Sequence, residues 1–388
     1  MKYKNALLIT SCFCSMLVTG TAIISCNKSN SNSSPSDPLA ALNLPATPFA
    51  YASQPLPLYF NSPPIQAQIN TPVDNAVTDW GATLGRVLFY DKKLSINNSI
   101  SCASCHAQAN GFSDTAVLSK GFAGGLTGRH SMSLINAKYY PNGRFFWDER
   151  ATTLEQQVLT PVQDAVEMGM RLDTLNNRLQ KTTHYPYLFN KAFGSETITS
   201  DRIAKAMAQF IRSMISYQSK FDAGRAAVTP GQDPVLTPYS NFTAQENEGK
   251  QLFFSATTTC NTCHGTETFT APADRNNGLE NPSVDRGKGG VTNIPVQIGN
   301  FKVPSLKNIA LTAPYMHDGR FKTLEEVVEH YNSGIKSNPN LAPQLKNNDG
   351  TPKRMNLTTQ QKNSLVAFLK TLTDTVITTD TKFSNPFR

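Results

Sequence analysis

The chain has little cysteine to spare. Of its seven cysteines, Cys12, Cys14 and Cys26 fall in the first twenty-six positions, leaving Cys102, Cys105, Cys260 and Cys263 for the rest. If the N-terminus is processed at Cys26 and the other four are taken up by the paired motifs described next, nothing remains for a disulfide or a free thiol. Long alternating patterns of the kind that make strands are also missing, so a sheet protein is not expected. No basic block with interleaved aromatics occurs, which argues against a nucleic-acid partner. The formal charge of +8 falls to +6 once Lys2 and Lys4 are removed with no acid. That is a mild basic excess, suited to docking an acidic partner.

What is present is a pattern repeated 158 residues apart: Cys102-Ala103-Ser104-Cys105-His106 and Cys260-Asn261-Thr262-Cys263-His264. In Cys-x-x-Cys-His the two thiols can add to the vinyl groups of one haem and the histidine becomes the proximal iron ligand. Zinc would need a second ligand pair close by, and each pair here stands alone. A redox dithiol would sit at the end of a βαβ unit, which the surroundings do not resemble. Two covalent haem c groups, and electron transfer within one polypeptide, are the favoured reading. His106 and His264 are then the proximal ligands.

The N-terminus supports an extracytoplasmic address. Lys2 and Lys4 precede an apolar run from Ala6 to Ile24, and polar sequence follows at once, which reads as a signal peptide rather than a lasting span. Ile23-Ile24-Ser25-Cys26 resembles a bacterial lipobox, with ordinary cleavage a few residues later as the alternative. Residues 1–25 are therefore expected to be a lipoprotein signal peptide, with Cys26 lipid-modified and the protein anchored in the periplasm. Haem c attachment outside the cytoplasm agrees with this.

Residues 26–74 read as a flexible tether and N-terminal extension, the Asn-, Ser- and Pro-rich tether ending near residue 45. A first haem domain is expected over 75–235 and a second over 236–388, divided near Thr229-Pro230-Gly231-Gln232-Asp233-Pro234. Ile203, Met207, Phe210, Ile211 and Met214 follow a helical period behind Ser200 and Asp201 as cap candidates. Leu365, Val366, Leu369 and Leu372 do the same near the C-terminus. Residues 265–302 form a loop too long for a compact connection unless something organises it. The expected fold is mainly α: two cytochrome c-like haem domains with long irregular loops.

Several blocks in order carry a family resemblance. Leu84-Gly85-Arg86-Val87-Leu88-Phe89-Tyr90-Asp91 precedes the first haem motif. Phe146-Trp147-Asp148-Glu149-Arg150-Ala151, Pro161-Val162-Gln163 and Val166-Glu167-Met168 follow it, and Thr312-Ala313-Pro314-Tyr315-Met316-His317-Asp318-Gly319 closes the series. Over about Leu84 to Leu372 the chain resembles the bacterial dihaem cytochrome c peroxidase family, which includes the MauG-type enzymes.

That resemblance implies a peroxidatic haem in the first domain and an electron-transfer haem in the second. Glu167 matches the family's acid–base carboxylate, against a solvated helix-end acid on composition alone. Gln157 matches an amide in the same distal pocket, and Pro161 a residue that shapes it. Trp147 matches the aromatic between the haems, while Trp80 has no match and reads as packing.

Three departures stand out. Peroxidases of this family commonly place a Met fourteen residues after the position of His317; here Tyr331 stands there, as in MauG-type enzymes. Leu324, Val327, Val328 and Tyr331 share a helical face, which points Tyr331 inward and leaves His330 off the stripe. Tyr331 is the expected sixth ligand of the second iron, with Met316 and His330 as competitors. Phe122 occupies the position of a removable distal histidine, so the first haem is expected to be permanently open. The resemblance also implies one Ca²⁺ bound by the backbone carbonyls of Thr312 and Pro314 and an Asn side chain. His130 holds the Asn position, so calcium is expected to be weaker, differently coordinated or absent. His184 has no context and reads as a surface residue.

The function expected is reduction of hydrogen peroxide to water with electrons from a small cytochrome c or cupredoxin. One alternative is a MauG-like oxidase that stores oxidising equivalents across both haems and oxidises a protein or other substrate. A second is a dihaem electron carrier without peroxide chemistry, against which Glu167 and Gln157 argue. Family members are often dimers, and a homodimer is compatible with this chain.

Overall fold

The computed structural model describes residues 37–388. The signal peptide, the lipobox with Cys26 and the tether up to residue 36 lie outside the described residues. Most of the longer helices start where a capping hydroxyl meets apolar periodicity. Helix α1 (Asp79–Tyr90) is capped by Thr78, whose hydroxyl accepts the Gly81 N–H, and α2 (Leu154–Gln163) by Thr153. Helices α3 (Leu172–Gln180) and α4 (His184–Phe193) lead to α5 (Ser200–Arg212), whose cap is Thr199 rather than Ser200 or Asp201. Then come α6 (Lys220–Ala226), α7 (Ala244–Phe253), α8 (Leu324–Glu329) and α9 (Thr359–Lys370). Among the described residues there is no strand, only isolated bridges. The fold is mainly α, as expected.

Two glycine crossings anchor the two main cores. At Gly85 a Cβ would collide with the Ala206 carbonyl and Phe210, so α1 and α5 touch backbone to backbone. At Gly249 a Cβ would collide with the Ser364 carbonyl and Phe368, and α7 meets α9 in the same way. The first core gathers Leu84, Phe89, Phe112, Met207 and Phe210. The second gathers Phe253, Phe269, Leu324, Leu365 and Phe368.

The repetition extends well beyond the cysteine motifs. Left-handed backbone recurs at Phe112 and Phe269 (φ 55° and 53°), at Asn136 and Asn308 (61° and 63°), and at Phe146 and Met316 (68° and 76°). A bridge from Phe145 to Ala151 is matched by one from Tyr315 to Phe321. Two residues past each bridge a threonine caps a helix, Thr153 for α2 and Thr323 for α8. The eighth residue after each cap is Pro161 in one copy and Tyr331 in the other.

Two expectations need correcting, and the long loop acquires its organiser. The tether does not run on to residue 45: Leu42 is buried, and in the extension that follows Tyr51, Phe60 and Ile65 are buried and the Tyr51 hydroxyl donates to the Lys382 carbonyl at 2.5 Å. The prolines and polar residues of this stretch suggest a tether, but its scattered large apolar side chains have core surface to cover. His184 is 5 % exposed, because the C-terminal Phe387 and Tyr185 enclose its ring. The loop over 265–302 is organised by polar bonds within it, Asp274 taking Lys288 and Asn300, and by one to the first half, Asp285 taking Arg129. Pro38–Arg388 forms one compact unit, with Ile377 and Phe383 of the C-terminal segment packed into the first core.

Candidate haem sites

Each cysteine motif folds as one 3-10 turn, Cys102–Ser104 and Cys260–Thr262. The turn brings the following histidine back onto the first cysteine: the His106 N–H bonds the Cys102 carbonyl at 3.0 Å, and His264 bonds Cys260 at 2.9 Å. All four thiols are free and partly buried. Burial pushes the Cys102 thiol up to about 12 and the Cys260 thiol up to about 11. A redox dithiol needs the opposite shift.

The two imidazoles are held in the same way. His106 Nδ1 lies 3.0 Å from the Phe112 carbonyl and His264 Nδ1 3.2 Å from the Phe269 carbonyl. A carbonyl can only accept, so each Nδ1 carries the proton and each Nε2 keeps its lone pair. The left-handed turns at Phe112 and Phe269 aim those carbonyls at the rings. Burial lowers both histidines, His264 to about 4, which keeps them neutral.

His106 opens on a cleft of about 1470 Å³, mouth included, that Gln157, Pro161, Glu167 and Trp147 also line. Cys102 and Cys105 line an adjoining recess with Glu167 and Gln157. Glu167 sits in the turn after α2, its N–H bonded to Asp164 Oδ1 at 3.0 Å and its carbonyl to the Phe122 N–H at 2.9 Å. Burial, then the neighbouring Asp164 charge, raise its carboxyl pKa, with Arg150 opposing. The result is an acid that can hold and release a proton nearer neutrality. Phe122 therefore braces the Glu167 turn and does not line the cleft.

His264, Cys260 and Cys263 open on a second cleft of about 1610 Å³, mouth included, with Met316 and Tyr331 on its wall. Leu324, Val327, Val328 and Tyr331 all line it, so the inward stripe forms as expected. Burial pushes the Tyr331 phenol up to about 12, and Asn277 Nδ2 lies 3.4 Å from both its oxygen and Met316 Sδ. His330 is off the stripe yet 6 % exposed. Helix α8 opens into a π-turn over His330–Gly334, and the His330 ring turns to the Asn277 carbonyl at 3.0 Å. Of the three candidate ligands, Tyr331 and Met316 face the cleft and His330 does not.

Trp147 lines both clefts. Its Nε1 donates to the His130 carbonyl at 2.8 Å, and its ring meets His317 edge-on at 6.4 Å. His317 stacks on Phe301 at 3.8 Å. Trp80 packs against the first core, as expected.

Thr312 and Pro314 lie on the second cleft's wall, and the Thr312 carbonyl faces the His130 ring. That ring is buried, with Nδ1 3.0 Å from the Ala116 carbonyl and Nε2 3.4 Å from Ser113 Oγ. A calcium ion wants six to eight oxygens. Here an imidazole already engages backbone oxygens, so the donor set does not fit that ion.

Residues that sequence reasoning did not reach also line these clefts. Lys302 stands on the wall of both, and Arg275 on that of the second. No local motif marks either one.

Fold and clefts together define a class: a mainly helical c-type cytochrome with two haem centres. The sequence model for "Di-haem cytochrome c peroxidase" matches residues 80–227. The methylamine utilization protein MauG of Methylophilus methylotrophus is 31% identical over 310 residues, covering 78% of this chain and 85% of that one. Cytochrome c551 peroxidase of Nitrosomonas europaea is 32% identical over 252 residues, covering 64% and 71% respectively. A MauG-like protein associated with microbial copper homeostasis has a crystal structure matching at a TM-score of 0.75 and 32% identity, over 87% of this chain and 99% of that one. The chain belongs to the di-haem cytochrome c peroxidase family. It is a haem-dependent oxidoreductase that acts on peroxide with a redox protein as electron donor.

Proposed function

We propose that hydrogen peroxide is reduced at the first cleft and that electrons enter at the second: H₂O₂ with two electrons and two protons gives two waters. The observation that carries this is the unequal pair at one repeat position, Pro161 beside His106's cleft and Tyr331 beside His264's. A proline ring offers an iron no ligand; a phenol oxygen can close one.

Cys102 and Cys105 would hold one haem and Cys260 and Cys263 the other, with the Nε2 atoms of His106 and His264 turned to the irons. Bound haem supplies the iron redox chemistry that cleaves the O–O bond. Glu167 takes the proton from one peroxide oxygen and returns it to the other. Gln157 orients the peroxide through its amide, and Pro161 keeps the pocket narrow. Trp147 relays charge between the clefts. The haem-bearing segments are 75–235, peroxidatic, and 236–388, electron-transferring. The protein is periplasmic and lipid-anchored at Cys26; no helix of the described residues is long and apolar enough to cross a membrane.

Tyr331 favours a second reading, a MauG-like oxidase. A phenolate stabilises ferric iron relative to a thioether, so oxidising equivalents could be spread over both centres and passed to a protein or other substrate. Adding peroxide to the fully ferric holoprotein separates the readings. An immediate spectral change without donor supports the oxidase, and a response only after one-electron reduction supports a reductively activated peroxidase. No response in either state would leave a carrier. Two low-spin, six-coordinate haems in the ferric protein would sink the open first site.

A further inference from the structure

Four cationic side chains stand on the walls of the two clefts: Arg129, Arg150, Arg275 and Lys302. Arg129 is paired with Asp148 and Asp285, and Arg150 with Asp148. Among the described residues, no carboxylate pairs with the other two. Lys302 is 8 % exposed, and its ammonium lies 3.5 Å from the centre of the Tyr140 ring. The nearest carboxylate it senses is Glu149, which is already taken by Tyr140, Asn142 and Lys288. Arg275 has a buried Nε with no partner, and its Nη1 reaches only the Asp274 carbonyl at 2.9 Å.

A buried cation without an anion is costly, and a cation–π contact offsets only part of that cost. Burial accordingly pulls the Lys302 ammonium down to about 7. The bridge between Arg275 and Phe301 sets Arg275 beside the residue that precedes Lys302. The Lys302 N–H bonds the Trp147 carbonyl at 2.8 Å, so the pair is fixed to the inter-cleft wall. A haem brings two carboxylates on one edge, and the second cleft presents two unpaired cations.

We infer that Lys302 and Arg275 form a carboxylate clamp for the haem held at Cys260 and Cys263. Lys302, shared by both walls, thereby sets the potential at which electrons enter. The inference rests on haem attachment at those two cysteines. A cation beside the macrocycle favours the reduced, less positive state, so its removal lowers the midpoint potential.

The test is spectroelectrochemical titration of the holoprotein carrying Lys302→Met or Arg275→Met. Each should shift the ferric/ferrous equilibrium of the His264 centre roughly tenfold toward ferric, 59 mV for one electron. The resonance Raman band of the haem carboxylates should move as well. Lys302→Arg, which keeps the charge, should restore both signals. A ferric/ferrous equilibrium within twofold of the parent and unmoved bands in both Met variants overturn the clamp. If Lys302→Met fails to fold, Arg275→Met decides the matter alone. The intact mass of each protein separates the failures: a chain with one haem sinks the attachment reading, whereas two haems with unmoved potentials sink only the clamp.

Discussion

The two halves share a frame and differ in what the frame holds. Both cross their helices at a glycine, both turn a carbonyl onto a histidine Nδ1, and both cap a wall helix with threonine. Four positions after the cap, one half has Gln157 and the other Val327; eight after it, Pro161 faces Tyr331. A carboxyl and an amide, Glu167 and Gln157, line the first cleft, and no carboxyl among the described residues lines the second. The second half instead sets one phenol, Tyr331, into an apolar helix face of Leu324, Val327 and Val328, with the cations Arg275 and Lys302 on another part of the wall. On the proposed reading, a repeated scaffold supplies two haem seats while two or three side chains decide which one is open.

The largest expected effect breaks the first half alone. Glu167→Gln should lower peroxide turnover by roughly 10²–10⁴-fold, the usual worth of a positioned acid–base group. The potentials and haem content should stay unchanged. The base form is the deprotonated one and its pKa is raised above the ordinary 4.5. The acid limb of kcat/KM should therefore lie above the usual carboxylate range, turnover falling as pH drops through it. Glu167→Gln should erase that limb. If the limb survives, another group moves the proton.

The second half breaks at Tyr331. Tyr331→Met should raise the potential of the His264 centre and abolish any direct response of the ferric protein to peroxide, because a thioether favours ferrous iron. Absorption and EPR spectra at both centres check it. An unchanged second centre would assign the ligand to Met316, the other candidate on that wall.

A smaller effect tests the equivalence itself. Gly85→Ala and Gly249→Ala each force a Cβ into a facing backbone carbonyl, and each should cost about 1–3 kcal/mol of stability. Denaturant midpoints of the two holoproteins should fall together. If one substitution is tolerated freely, the two crossings are not the same device.

Much of this comparison is legible in the sequence, for physical reasons. Thioether attachment needs its cysteines and histidine contiguous, so Cys102–His106 and Cys260–His264 stand out at once. Tyr331 is reachable because helical period ties it to Leu324, Val327 and Val328. Burial of His330 is not, since the π-turn breaks that period just where it begins. Lys302 and Arg275 matter only through contacts made across the fold, and nothing in their neighbouring residues records this. The packed segment after Pro38 is hidden for the opposite reason: its turn-forming composition masks apolar residues whose partners lie some three hundred positions away, as Tyr51 and Lys382 show.

The smallest effect expected is none at all, and it bears on the joint between the halves. His130 sends its N–H to the His317 carbonyl at 2.8 Å and receives Trp147 Nε1 on its own carbonyl. Its ring takes the Ala116 carbonyl and faces that of Thr312. The imidazole thus stands against the Thr312 carbonyl, where a cation would need an oxygen donor. Chelation with EGTA should leave the Tm and the haem spectra of the parent protein unchanged. His130→Asn supplies an amide oxygen in place of the ring and frees those carbonyls. Its Tm should then rise with added calcium, approaching about 2.7 kcal/mol of stabilisation at a hundredfold excess over Kd. A parent protein that loses stability or spectral coupling in EGTA would return the calcium ion to this joint, and the imidazole would be only its neighbour.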